Sequence, residues 1–130
     1  LREAARRLQE SVRAGEAAFR LGGEEFAVLI ADQPSEQTLA CAERIRLTAE
    51  AMPVIHDGQR LPTVTLSIGV ARYPGDADSA GGLLQKADAA LYVAKRSGRN
   101  RVCHSGPAPA RQGAVSSAPA AEALGNRLDP

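Results

Sequence analysis

Apolar residues recur at helical spacing from the first residue onward. Leu1, Ala4, Ala5, Leu8 and Val12 fall on one side, with Arg2, Arg6, Arg7 and Glu10 between them. This predicts an amphipathic helix over 1–13, closed by Gly15 just past its end. The period then shortens to two. The runs Ala17–Leu21 and Glu25–Ile30 flank Gly22-Gly23. They read as a tight hairpin, because a two-residue turn needs a positive φ that glycine adopts at no steric cost. Alternation puts Phe26, Val28 and Ile30 on one face, and Glu25, Ala27 and Leu29 on the other. Asp32-Gln33-Pro34 ends the strand. Ser35 is placed to cap a second helix running to Met52, with Leu39, Ala42, Ile45, Ala49 and Met52 inward. Pro53 cannot continue it.

Val54-Ile55, the Asp57-Gly58 turn and a return from Leu61 to Arg72 predict a second hairpin. Its stretch Thr63–Ala71 is rich in β-branched residues and is the strongest strand in the chain. Tyr73–Asp76 reads as a loop. A third helix follows from Ser79 to Ser97, with Leu83, Leu84, Ala87, Leu91 and Ala94 inward and Gly98 as its cap. Asn100–His104 reads as a last short strand. From Ser105 the chain turns to Pro, Ala, Ser and Gly without an apolar period, which predicts a disordered tail over 105–130 and a folded unit over 1–104. This order predicts an α+β fold: an antiparallel-containing sheet with its helices packed on one face. A βαββαβ unit would carry a strand before the first helix. The chain therefore reads as a piece of a longer protein, cut downstream of that strand.

Composition narrows the function classes. The 130 residues carry a net charge of +1, too weak a field to argue for nucleic acid or an anionic membrane. Aromatic residues make up only 3%, which argues against base-stacking platforms. Cys41 and Cys103 lie far apart in no metal-ligand pattern and read as reduced thiols of a cytoplasmic protein. No run is long enough for a transmembrane helix, so no direct membrane contact is expected. His56 and His104 have no partner at ligand spacing.

Two constellations carry candidate chemistry. Glu24 and Glu25 stand at the mouth of a bare glycine turn. Adjacent carboxylates there suit a hard cation, and exposed glycine backbone lets a phosphate approach; a solvated hairpin tip fits the same pattern. Lys95 and Arg99 are four apart at the end of the third helix. They can clamp a phosphate between a point charge and a planar fork, or simply complement the helix dipole. Asp88 and Tyr92, also four apart, read as a packing pair.

Taken together, Arg20-Leu21-Gly22-Gly23-Glu24-Glu25-Phe26, Thr65-Leu66-Ser67-Ile68-Gly69-Val70-Ala71 and the segment from Ala87-Asp88 through Asn100 resemble the GGDEF domain of diguanylate cyclases. The resemblance runs from Leu1 to about Cys103. It implies a ferredoxin-like, nucleotide-cyclase palm lacking its first strand. It implies condensation of two GTP molecules into cyclic di-GMP by a homodimer, with Mg²⁺ or Mn²⁺ as cofactor. Gly22 and Gly23 would admit the nucleotide phosphates. Glu24 would bind metal, and Glu25 would bind metal or help activate the attacking hydroxyl. Lys95 and Arg99 would hold the terminal phosphates. The family's guanine-reading residues lie upstream of the matched part, as would any sensor domain, so this chain alone is expected to turn over little or nothing. The resemblance also implies a degenerate product-inhibition site at Arg13 and Glu16, where glutamate stands for the family's aspartate. A non-catalytic nucleotide-binding regulator and an unrelated α+β interaction module are the competing readings.

Overall fold

The computed structural model describes residues 2–106 and 122–128. Chain order gives α1 (Arg2–Ser11), β1 (Glu16–Gly22), β2 (Glu25–Ile30), α2 (Ser35–Ala51), β3 (Ile55–His56), β4 (Gln59–Arg60), β5 (Leu66–Arg72), α3 (Ala80–Arg96), β6 (Val102–His104) and β7 (Glu122–Leu128). Five strands form one sheet in the order β1-β2-β7-β5-β6, and β3 and β4 form a separate small hairpin. Among the described residues only β5 and β6 pair in parallel, and the other neighbours are antiparallel.

The helices cover both faces of the sheet, which corrects the expectation of one. Leu66, Ile68 and Val70 share a buried cluster with Phe26, Val28 and Ile30, and with Leu8 of α1 and Ala42 and Ile45 of α2. The intervening residues of β5 meet α3: Ala71 packs with Leu83 and Ala87. A Cβ built on Gly69 would stand 2.1 Å from the Ala87 carbonyl oxygen and 2.3 Å from the Leu91 nitrogen. Glycine is thus required at Gly69 by the closeness of the α3 backbone. With both its faces covered, β5 has six consecutive buried residues instead of an alternating pattern. Each large apolar side chain buried there contributes roughly 1.5–3 kcal/mol.

Element ends show two local differences from the sequence expectation. The long return of the second hairpin breaks between Arg60 and Leu66, where Pro62 offers no N–H for a ladder. Pro34, rather than Ser35, occupies the N-cap of α2, and the Gln37 and Thr38 N–H groups donate to its carbonyl. Ser79, read as the first residue of the third helix, stands just before α3 as its N-cap and accepts a hydrogen bond from the Gly82 N–H at 3.1 Å.

The largest difference is β7. The stretch 105–130 reads from its composition as a disordered tail, yet Glu122–Leu128 forms an interior strand between β2 and β5. Residues 107–121 and 129–130 of that stretch lie outside the described residues. Seven residues of β7 face β5 in register, and six face β2. The sheet interior demands a strand there, because β2 and β5 would otherwise each leave a row of backbone groups without ladder partners.

Candidate functional site

The signature hairpin turns one residue later than its glycines suggest. Gly22 pairs with Glu25, so the two-residue loop is Gly23-Glu24. Gly23 supplies the positive φ, +51°. Leu21 is the extra residue of a bulge, because the register shifts between Arg20 and Gly22. Arg20 ties the turn down: its Nε and a terminal nitrogen both donate to the Gly23 carbonyl, at 3.2 and 2.7 Å. Sequence reading assigned Arg20 no role, although a long cation three residues before a glycine carbonyl is the available signal. Glu24 therefore stands on the turn itself, beside bare backbone. Glu25 begins β2 and points to the α3 side of the sheet, opposite Phe26. There it lines a groove of about 550 Å³ with Leu21, Leu84, Gln85, Asp88 and Leu91.

The second constellation is not the helical pair that its spacing suggests. The α-helix ends at Arg96, with Ser97 as C-cap, so Lys95 lies on α3 and Arg99 lies beyond it. Gly98, Arg99 and Asn100 all have positive φ, at +113°, +60° and +45°. The Arg99 N–H donates to the Ala94 carbonyl at 3.1 Å, closing the helix by the Schellman pattern around Gly98. Lys95 is half-buried and Arg99 exposed. Tyr92 pairs with Arg96, whose guanidinium donates to its hydroxyl at 3.1 Å, and not with Asp88.

The sheet brings the two constellations to one end of the molecule. Glu25 pairs with Arg127, which pairs across β7 with Ser67 near the start of β5. The Ile68 N–H donates to the Arg101 carbonyl at 2.9 Å, so the turn after α3 sits beside that same start. Three strand spacings of about 4.8 Å, roughly 14 Å laterally, separate Glu25 from the head of β6.

Arg13 and Glu16 are arranged differently from an open pair. The Glu16 carboxylate accepts from the Arg13 backbone N–H at 2.8 Å, from Cys41 Sγ at 3.0 Å and from Arg44 at 3.2 and 3.3 Å. Burial pushes its pKa up, but the Cys41, Arg13 and Arg44 contacts outweigh that and hold it below the usual carboxylate range. The Arg13 side chain is exposed. Arg44 and Cys41 are the partners that sequence reading missed. Their spacing of three on α2 puts them on one helix face, but only the fold sets that face against β1. A further pair, read from sequence as a loop acid and a tail-border histidine, meets at the other end of the sheet: His104 Nε2 lies 2.9 Å from Asp76 Oδ2.

Among the described residues no group of three or more His, Cys, Asp or Glu is placed to hold a metal. Glu24 and Glu25 alone still fit Mg²⁺, which keeps most of its shell as water and substrate phosphate and takes one or two carboxylates from protein. Among the described residues no helix is long and apolar enough to cross a membrane.

Comparison with known proteins gives a consistent result. The family model described as "Diguanylate cyclase, GGDEF domain" matches residues 1–101. Diguanylate cyclase A of Treponema denticola is 41% identical over 102 residues, covering 78% of this chain and 27% of that protein. The response regulator PleD of Caulobacter vibrioides is 44% identical over 103 residues, covering 78% and 23%. Among solved structures, the GGDEF domain of DgcB from Caulobacter crescentus in complex with c-di-GMP superposes with a TM-score of 0.70 at 31% identity, over 78% of this chain and 61% of that one. The GGDEF domain of YfiN (TpbB) from Pseudomonas aeruginosa gives 0.75 at 36%, over 81% and 65%. The chain spans less than a third of the curated relatives it matches and under two thirds of these solved chains.

Proposed function

This chain belongs to the GGDEF domain family of diguanylate cyclases, and from that premise we propose that it is the signature-bearing part of an enzyme that joins two GTP molecules into cyclic di-GMP. In each of two transfers a ribose 3′-oxygen bonds to the α-phosphorus of the other nucleotide. The hydroxyl proton leaves, the bond from α-phosphorus to the bridging oxygen breaks, and pyrophosphate departs. A bound Mg²⁺ or Mn²⁺ would offset charge on the attacking and leaving oxygens.

The residues divide the work. Gly22 and Gly23 leave the turn without side chains, so phosphate oxygens can reach its backbone. Glu24, on the turn, and Glu25, at the head of β2, would hold the metal, and Glu25 would also accept the hydroxyl proton. Arg20 keeps the turn in shape. Lys95 and Arg99 hold the terminal phosphates and favour the leaving pyrophosphate. One GTP per domain requires two domains face to face, so the working unit is a homodimer. GTP as substrate places it in the cytoplasm. Arg13 and Glu16 form a weakened product-inhibition site, because the Glu16 carboxylate already holds Arg44.

The observation that carries this reading is the convergence of the carboxylate turn and the cationic turn at one end of the sheet. The test is incubation with GTP and Mg²⁺, with cyclic di-GMP read by chromatography. It compares this chain, a version extended upstream of Leu1, and the extended version carrying Glu25→Gln. Product from the extended protein, lost in Glu25→Gln, is the expected result. Nucleotide binding without product from a folded dimer would replace the enzyme with a regulatory nucleotide-binding domain.

A further inference from the structure

The turn that carries Arg99 is unusual in its backbone. Gly98, Arg99 and Asn100 follow one another in left-handed conformation, and two of the three are not glycine. Such conformations persist where the surroundings over-determine them. Two of the restraints are local, the Arg99 N–H to the Ala94 carbonyl and Arg101 Nε to the Arg99 carbonyl, both at 3.1 Å; the others come from the opposite side of the sheet. Arg46 of α2 donates from one terminal nitrogen to Asn100 Oδ1 at 2.7 Å and to Glu50 at 2.9 Å. Its Nε and other terminal nitrogen donate to Glu43 at 2.6 to 3.1 Å. Asn100 Nδ2 returns a hydrogen bond to Glu50 at 2.8 Å, so the side-chain amide is gripped at both ends. The Arg46 side chain is 11% exposed, whereas Glu43 and Glu50 remain 45% and 40% exposed. The network therefore reaches from the helix covering one face, past the edge strand β6, to the turn that ends the helix covering the other.

We propose that Arg46, with Glu50 and Asn100, is a positioning unit for the candidate site: it locks the left-handed turn after α3 and so fixes where Arg99 presents its guanidinium. The inference rests on the proposed function in taking Arg99 as a phosphate ligand. Arginine is suited to the position because its planar fork serves Glu43, Glu50 and Asn100 at once; lysine, a point charge, cannot span all three. Glu43 orients Arg46, while Glu50 holds both the Arg46 guanidinium and the Asn100 amide.

The test separates the turn's geometry from its chemistry. NMR of the full 130-residue chain reads the Arg99 and Asn100 φ angles from amide couplings, and titration with inorganic pyrophosphate reads phosphate binding at the Arg99 side chain. The variants are Arg46→Met, Arg46→Lys, Asn100→Gly and Arg99→Ala. Asn100→Gly removes the gripped amide yet tolerates the left-handed backbone, so it tests the anchor even if Arg46→Met fails to fold. The expected result is averaged couplings at Arg99 in Arg46→Met and Asn100→Gly, with pyrophosphate affinity at least fivefold weaker, and partial recovery in Arg46→Lys. Couplings that remain those of the parent in Asn100→Gly would overturn the positioning role. Averaged couplings with pyrophosphate affinity unchanged in both Asn100→Gly and Arg99→Ala would instead fell the clamp reading and leave the anchor standing as a structural device.

Discussion

Replacing Gly69 with alanine tests the packing that carries α3, and with it Lys95 and Arg99, over the sheet. The added Cβ would lie 2.1 Å from the Ala87 carbonyl oxygen, 2.3 Å from the Leu91 nitrogen and 2.9 Å from the Leu91 Cα, all helix backbone. Ordinary contact begins near 3.4 Å, so the middle of α3 must lift by more than an ångström. No side chain can rotate aside to spare it. Overpacking costs typically 1–3 kcal/mol, and rigid backbone obstacles put this case at the upper end, about 3 kcal/mol. For a domain of this size that lowers Tm by more than about 10 °C. Gly125, paired directly with Gly69 on β7, is the internal control. Its added Cβ would meet the Ala87 Cβ, carbonyl carbon and carbonyl oxygen at 3.7, 3.9 and 4.0 Å, all ordinary contacts. Gly125→Ala is therefore expected to be neutral, or to stabilise by roughly 0.4–1 kcal/mol through the unfolded chain. Thermal unfolding followed by circular dichroism reads both. A Gly69→Ala protein within 2–3 °C (about 0.5 kcal/mol) of the parent, or an equal loss in Gly125→Ala, would refute the close approach of α3.

Two further outcomes follow from the fold. Truncation after Gly106 removes β7 and strips the partners from β2 and β5; the shortened chain is expected to aggregate or lose its cooperative transition, read by size-exclusion chromatography and circular dichroism, and a soluble, cooperatively folding product would contradict the interior placement of β7. Asp76 gives a pH dependence. Burial raises its pKa, but the Arg72 side-chain and backbone hydrogen bonds and the charges of His104 and Arg72 outweigh this and lower it below its ordinary 3.8. A lowered folded-state pKa means a contribution that is complete above the ordinary range and lost as pH falls through the folded value. Asp76→Asn is thus expected to lower Tm at pH 7 and to converge with the parent at the acid end, and a deficit independent of pH would contradict it.

The sequence alone determined the parts that depend on neighbours within a turn or two. The hairpin around Gly22-Gly23, the periodic faces of α2 and α3 and the Gly98 terminator are each specified by residues within a few positions of one another. The three-part motif was legible for the same reason. Tertiary structure decided what sequence-distant groups do to one another. The β-branched run that becomes β5 does not say whether one face or two is covered; the α3 backbone resting on Gly69 decides it. Glu122–Leu128 has the composition of a tail, and it becomes a strand because two unpaired sheet edges leave a slot that an extended backbone of almost any sequence can fill. Glu16 with Arg44, and Arg46 with Asn100, are separated by 28 and 54 residues. No local period links such pairs, since their contact exists only once sheet and helices have set the two segments side by side.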